Sequence, residues 1–308
     1  MDETDIRLIQ LLLYNARQPY RELADKLGLT VQAVHRRIQV LEDAKVIMGF
    51  TAHISVRYLG AVPVYCSGLT EETSTDRTIE NLRRNDSIWR LVTGSGNMIF
   101  LGGLLRGISD LEPFMDYLKT AARIPRPSMK IEGLVQVGER AVPPTPSRTS
   151  ELTPLDYRII YELSKDSRQA NADVAEALGV SVKTVTRRLD AMISQGAIDF
   201  ETLAELGASS GSAAFVTVSV KPGKDRNELR NHLRKSYGPR MILIVSFSNI
   251  TEDLLCLTWS PTNVGHSELI DELRKDERVA EVKSHLLVSG YYFDIWRDTL
   301  LAERATSE

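Results

Sequence analysis

The chain has 308 residues, of which 43% are apolar and 26% charged, and its formal net charge is −3. That is the make-up of a soluble globular protein of two to four compact units, and it excludes a non-specific nucleic-acid coat. No run approaches the eighteen or so apolar residues of a membrane span, and the acidic start Met1–Asp5 argues against a secretory signal. The two cysteines, Cys66 and Cys256, stand far apart and read as buried thiols of a cytoplasmic protein, not as a disulfide or metal site.

Ile6, Ile9, Leu12 and Leu13 recur at helical spacing behind acids that suit a helix N-terminus. Asn15–Pro19 ends that helix, and Tyr20–Leu27 forms the next. Gly28 permits the positive φ of a sharp turn, and Thr30 is a good N-cap for the helix that follows. In that helix Val31, Val34, Ile38 and Leu41 are expected to face inward. Gln32, Ala33, His35, Arg36 and Gln39 then face outward, short and polar enough to enter a major groove. This is a helix-turn-helix. Lys45–Phe50 and Thr51–Val56 alternate as a hairpin would, which predicts a wing over the adjacent DNA backbone or minor groove.

The pattern returns. Leu23–Leu41 recurs as Val174–Met192, with Ala24, Leu27, Gly28, Val34, Arg36 and Arg37 reappearing as Ala175, Leu178, Gly179, Val185, Arg187 and Arg188. Ser181 takes the place of Thr30 as cap, and the second helix presents Lys183, Thr184, Thr186 and Arg187 at the matching surface. Arg37 and Arg188 lie nearer the helix flank, placed for a phosphate or for an ion pair with an acid such as Glu42 or Asp190. His35 and His53 are too isolated to argue for a metal.

From Asp5 to Gly60 the order of Asp, Ile, Leu, the LA-x-x-LG-L-T turn, the paired arginines and VI-x-G-F resembles the N-terminal domain of the Lrp/AsnC family of transcription regulators. Asp156 to Gly207 resembles it again. The resemblance implies an α+β chain of two winged helix-turn-helix domains, each followed by a βαββαβ ferredoxin-like domain. The expected divisions are 1–60, 61–137, a Pro-rich linker 138–151, 152–207, 208–290, and a C-terminal helix and tail 291–308. Local patterns agree. Val62–Ser67, Ile88–Thr93, Met98–Leu105 and Met129–Val137 read as strands, and Thr75–Arg84 and Ile108–Ala122 as helices. Phe215–Val220, Asp225–Lys235, Met241–Phe247, Asp253–Trp259, Val264–Lys275 and Val279–Val288 repeat that order. Tyr291–Arg304 reads as an added helix with Tyr292, Ile295, Trp296 and Leu300 along one face.

The resemblance implies a sequence-specific regulator of double-stranded DNA, without catalytic residues or cofactor, and a homodimer or larger assembly through the two ferredoxin-like domains. It also implies a small-molecule effector such as an amino acid, held near the turn between the two central strands. Here that turn is Gly94, Ser95, Gly96 and Asn97, where glycines let backbone N–H groups approach a carboxylate. Phe247–Asp253, its counterpart, has no glycine. Charge separates the two copies: residues 1–60 carry eight Lys/Arg and seven Asp/Glu, net +1, whereas 152–208 carry six and nine, net −3. Phosphate contact therefore favours the first copy. Asp190, and Asp199 and Glu201 on the second wing, would oppose phosphate. Two alternatives stand beside the regulator. A sirohaem decarboxylase of this family would need histidines and arginines in the ferredoxin-like domain, yet 61–137 has no histidine and 208–290 only His232, His266 and His285. The other alternative is a ligand-responsive protein that has lost DNA binding.

Overall fold

A computed structural model describes the backbone of residues 1–137, 140–141 and 151–306, and the side chains of these outside 134–150. The expected linker, 138–151, falls almost wholly outside the described residues.

The chain opens with α1 (Glu3–Tyr14), α2 (Tyr20–Leu27) and α3 (Val31–Asp43). Asp2 and Asp5 cap α1 reciprocally, each side chain accepting from the other's backbone N–H. Gly28, at φ 66°, turns α2 into α3, whose first turn is capped by Thr30 accepting from the Ala33 N–H. Strand β1 (Ile47–Ile54) and the short α4 (Val56–Leu59) lead into the first ferredoxin-like unit. That unit runs β2 (Val62–Leu69), α5 (Thr75–Arg83), β3 (Ile88–Gly94), β4 (Met98–Leu105), α6 (Leu111–Ala121) and β5 (Ser128–Val137), with β6 (Arg140–Ala141) added. The second copy repeats the scheme with α7 (Pro154–Lys165), α8 (Asn171–Leu178), α9 (Val182–Ser194) and β7 (Ile198–Ala204). There follow β8 (Ser212–Val220), α10 (Arg226–Tyr237), β9 (Met241–Phe247), β10 (Asp253–Ser260), α11 (Asn263–Lys275), β11 (Val279–Tyr292) and α12 (Trp296–Thr306).

Two pairings join the halves. The first corrects the expectation of a local hairpin at Lys45–Val56. That stretch is one strand, β1, which does not fold back on itself; it pairs antiparallel with β7, Phe50 opposite Thr202 and Ile54 opposite Ile198. Each copy thus finds its partner strand in the other copy.

The second pairing closes the large sheet. Within each ferredoxin-like unit the strands lie in the orders β3-β4-β2-β5 and β9-β10-β8-β11. β5 then pairs onward with β9, and β11 with β3, so eight strands form a continuous ring. Both β5 and β11 are long because each serves its own unit first and the other unit second. The ring leaves none of these eight strands with a bare edge, and the strand pairing expected from a second copy is met inside the chain. Helices α5 and α6 cover one outer face, with Leu82, Phe114 and Leu118 on Val64, Leu91 and Leu101. Helices α10 and α11 cover the other, with Leu229, Leu233, Leu269 and Leu273 on Val216, Val218 and Ile244. Between the sheets Phe100 lies 4.9 Å from Phe215, and Tyr65 5.9 Å from Phe247.

The C-terminal helix begins later than its sequence pattern suggested. Tyr291 and Tyr292 belong to β11, opposite Leu91 and Arg90, because the ring needs that strand to reach β3. Beyond it the Trp296 indole donates to the Leu104 carbonyl at 2.7 Å, and Leu301 buries itself in the core of the second helix-turn-helix.

Candidate nucleic-acid interface

The interior of each helix-turn-helix is apolar and closed. Ile6, Ile9, Leu12, Leu23, Val34 and Ile38 are buried in the first, and Ile159, Ile160, Leu163, Val174, Val185 and Leu189 in the second. Val31 and Val182, expected inside, are instead 44% and 48% exposed. They occupy the first helical position, before the helix has turned its side toward the core.

On α3, Gln32, His35, Arg36 and Gln39 are exposed and Ala33 half-buried. His35 stacks on Tyr20, ring centres 4.2 Å apart, and the Arg168 guanidinium lies over the other partner of that stack, 4.3 Å from the Tyr20 ring. The imidazole is therefore held in one orientation at the outer surface. An open groove of about 290 Å³ lies beside it, lined by Asp5, Ala33, Arg36, Arg37 and Val40. On α9, Lys183, Thr186 and Arg187 are exposed and Thr184 half-buried, and Asn171 donates to the Thr186 hydroxyl at 3.0 Å. Asn171 stands where Tyr20 stands in the first copy, so one position steadies the reading face in both.

Arg37 and Arg188 belong to the frame. Arg37 reaches Asp2 at 2.9 Å and Asp5 at 2.6 Å, and Arg188 binds Asp156 and Thr153. The partners are the N-terminal acids of the first helix of each unit, not Glu42 and Asp190. Hydrogen bonds with these acids hold both guanidiniums firmly charged.

The units are locked to each other by a mirrored pair of bonds. Arg17 donates to the Ser167 carbonyl and Arg168 to the Ala16 carbonyl, residues at equivalent places in the two copies.

Asp199 and Glu201 do not face outward as wing acids. Their strand, β7, lies in the inter-copy ribbon, and its carboxylates stand in a crevice against the first ferredoxin-like unit. A cavity of about 110 Å³ there is lined by Val56, Tyr65, Trp89, Glu132, Glu201 and Arg297, among others. His53 bridges the crevice, 3.3 Å from Glu201 and 3.3 Å from Asp298. Burial and Arg297 would lower the His53 pKa, but its bonds to the two acids carry it above the ordinary value. Burial would raise Glu201 and Asp298, and His53 reverses that, leaving both low. Glu132 has no such cation in contact, and burial pushes it up to about 7 despite a hydrogen bond with Tyr65. Desolvation likewise raises Asp199, against the pull of Ser55 and Arg297. Glu205, the third extra acid, is buried and accepts from the Gly207 N–H at 2.9 Å.

Sequence reading missed this joint because its members are scattered. One signal was present: Glu201 and Glu205 replace Phe50 and Ile54, which are buried in the first copy. Positions interior in one copy should be interior in the other.

The turn Gly94–Asn97 is a tight link between β3 and β4, with Gly96 at φ 70° and Asn97 at φ 58°. The Ser95 N–H, offered in the sequence to a ligand carboxylate, is donated to the Leu286 carbonyl at 2.9 Å. A Cβ on Gly94 would lie 3.3 Å from that same oxygen, so the glycine serves the close approach of β11. Among the described residues no group of three or more His, Cys, Asp or Glu side chains could hold a metal. Burial pushes both cysteine thiols up to about 12, and no described helix is long and apolar enough to cross a membrane.

Comparison with known proteins gives a consistent outline. Residues 1–42 match the AsnC-type helix-turn-helix domain, and residues 152–199 the winged helix-turn-helix DNA-binding domain. The HTH-type transcriptional regulator LrpA of Pyrococcus horikoshii is 30% identical over 102 residues, which span 33% of this chain and 72% of that protein. The regulator Ptr1 of Methanocaldococcus jannaschii is 29% identical over 118 residues, 37% of this chain and 79% of its own length. Over its whole length the fold is similar to the crystal structure of the siroheme decarboxylase NirDL, with a TM-score of 0.59 and 10% identity, covering 97% of this chain and 98% of that one. At that identity the likeness concerns architecture alone.

Proposed function

We propose, on the premise that this chain belongs to the Lrp/AsnC family of transcription regulators, that it binds double-stranded DNA in the cytoplasm through Gln32, Ala33, His35, Arg36 and Gln39. Lys183, Thr184, Thr186 and Arg187 form the corresponding face of the second copy. The observation that carries this reading is the exposed, capped α3 with its ordered His35 and free-standing Arg36 on a rigid frame. Glutamine suits adenine and arginine guanine in the major groove, while Arg37 and Arg188 act as struts that fix helix orientation.

Genome-wide mapping of bound DNA, followed by titration of a recovered site, tests it. Arg36→Ala should weaken specific binding by about 1–3 kcal/mol if the guanidinium makes a bidentate base contact. Unchanged affinity would remove Arg36 from the interface, and absence of any enriched site would remove the function.

The whole-length likeness to a siroheme decarboxylase supports a second reading, an enzyme. A tetrapyrrole is far larger than the cavity between ribbon and sheet, and the first ferredoxin-like unit offers no histidine. An absorbance titration with an iron tetrapyrrole separates the two: a Soret shift with saturation favours the enzyme. For an amino-acid effector, the occupied Ser95 amide argues against the Gly94–Asn97 turn as its seat, and calorimetry with amino acids checks this directly. Light scattering checks whether chains associate beyond the internal pairing.

A further inference from the structure

The two helix-turn-helix units are related by an approximate two-fold axis inside one chain. Three independent features require it. Strands β1 and β7 run antiparallel to each other. The last strand of each ferredoxin-like unit crosses to the other unit, β5 to β9 and β11 to β3. Arg17 and Arg168 make the same bond in opposite directions. Yet the surfaces that this axis relates are not alike. Gln32, Ala33, His35 and Gln39 on α3 correspond to Lys183, Thr184, Thr186 and Asp190 on α9, and Arg36 to Arg187 is the sole base-reading match among them.

The argument against the second unit also falls away. Its net charge of −3 over 152–208 included Asp199, Glu201 and Glu205. Asp199 and Glu201 stand in the crevice against the first ferredoxin-like unit, and Glu205 is buried beside Gly207. Without these three, six acids face six bases, and the outward surface is no longer set against phosphate.

We propose that a single chain reads one asymmetric operator, made of two unlike half-sites in inverted orientation, the first through α3 and the second through α9. This rests on the DNA-binding reading above and extends it. Inversion follows from geometry. A two-fold axis carries a DNA duplex onto itself only by exchanging its strands, so units so related meet the two strands in opposite directions. Asymmetry follows from chemistry. The first face, with Gln32, Gln39 and Arg36, suits adenine and guanine edges; the second, with Lys183 and Arg187, suits guanines, and the Thr184 and Thr186 methyls suit thymine.

The test is selection of DNA from a random pool by the full chain, beside a variant whose second face copies the first: Lys183→Gln, Thr184→Ala, Thr186→His and Asp190→Gln. All four positions are solvent-facing or half-buried, so the fold is not engaged. The wild type should enrich a non-palindromic inverted pair. The variant should enrich a palindrome of the first half-site and bind the wild-type operator about tenfold more weakly. The reciprocal variant, Gln32→Lys, Ala33→Thr, His35→Thr and Gln39→Asp, should enrich the palindrome of the second half-site, and circular dichroism reports whether each variant folds. Mass photometry should find one chain per operator.

A palindromic wild-type operator, a second half-site indifferent to the swap, or two chains per operator would overturn the inference while leaving DNA binding intact. No enrichment by the wild type would instead remove the function on which it rests.

Discussion

The two helix-turn-helix units share a frame and differ in what supports it. The first leans on the opposite half: Gln10 of α1 donates to the Met241 carbonyl at 3.0 Å, and Ile242 and Val245 join its apolar core. The second is closed by the end of the chain, where α12 places Leu301 into the core around Ile159 and Ile160. Their struts differ too. Asp156 is wholly buried under Arg188, whereas Asp5 keeps 9% of its surface and shares Arg37 with the exposed Asp2. Duplication kept the residues that define the shape of each unit and released those that anchor it.

That contrast should appear first in the struts. Asp156→Ala leaves Arg188 beside a dry, uncapped helix start and should cost about 3–5 kcal/mol of stability, as breaking a buried pair does. Asp5→Ala, whose arginine retains Asp2 and solvent, should cost about 1 kcal/mol. Equal losses in urea denaturation would mean that burial does not distinguish the two units.

The anchoring helix comes next. Leu301→Ala should cost about 2–4 kcal/mol by opening a cavity in the second unit. Hydrogen exchange should then rise in α7–α9 and remain unchanged in α1–α3. Exchange rising equally in both units would show that the ribbon couples them more tightly than α12 anchors one.

A smaller, pH-dependent effect belongs to the crevice, which only the first ferredoxin-like unit lines. His53 is held above its ordinary 6.5, so the stability it adds is complete below 6.5 and lost as pH rises through the higher folded value. Glu132, ordinarily at 4.5 and here at about 7, acts in the same sense. The unfolded chain ionises first, so stability declines between those two values. Glu201 and Asp298, held low, lose their contribution only in acid, as pH falls through their folded values. Thermal melts should show Glu132→Gln flattening the decline below neutrality and His53→Gln flattening the part above 6.5. A wild-type profile rising across that range would contradict the assigned partners.

The smallest effect concerns Val31 and Val182. Both lie at the exposed first position of their helices, so Val31→Thr or Val182→Thr should change stability by less than about 0.5 kcal/mol. A loss of 2 kcal/mol or so, typical of a core valine, would return them to the interior.

Much of this was legible in the chain. Repetition at a constant offset located both helix-turn-helix units, and the caps Thr30 and Ser181 fixed where the second helices begin. Strand and helix order in the ferredoxin-like units followed from local periodicity. What local periodicity does not carry is the identity of a strand's partner. Lys45–Val56 alternates equally well whether it pairs with itself or with β7. Tyr291 and Tyr292 have helical spacing to Ile295 and Trp296, but the ring claims them as strand. The site was legible to the same depth. Gln32, His35, Arg36 and Gln39 are outward because α3 is amphipathic, a local property. The orientation of Asp199 and Glu201, and the pairing of His53 with Asp298, depend on contacts far along the chain.

The β1–β7 ribbon has a consequence for how the protein responds to its own abundance. In a regulator assembled from separate chains, the fraction competent to grip two half-sites rises with concentration, and related subunits can exchange. Here both strands of the ribbon are tethered in one polypeptide, so their pairing is unimolecular and does not vary with dilution. Occupancy of an operator should therefore track expression linearly at low copy number, without the threshold that dimerisation imposes. Nor can the pair be poisoned by subunits from a paralogue, since a mixed ribbon would have to displace a partner that is always present.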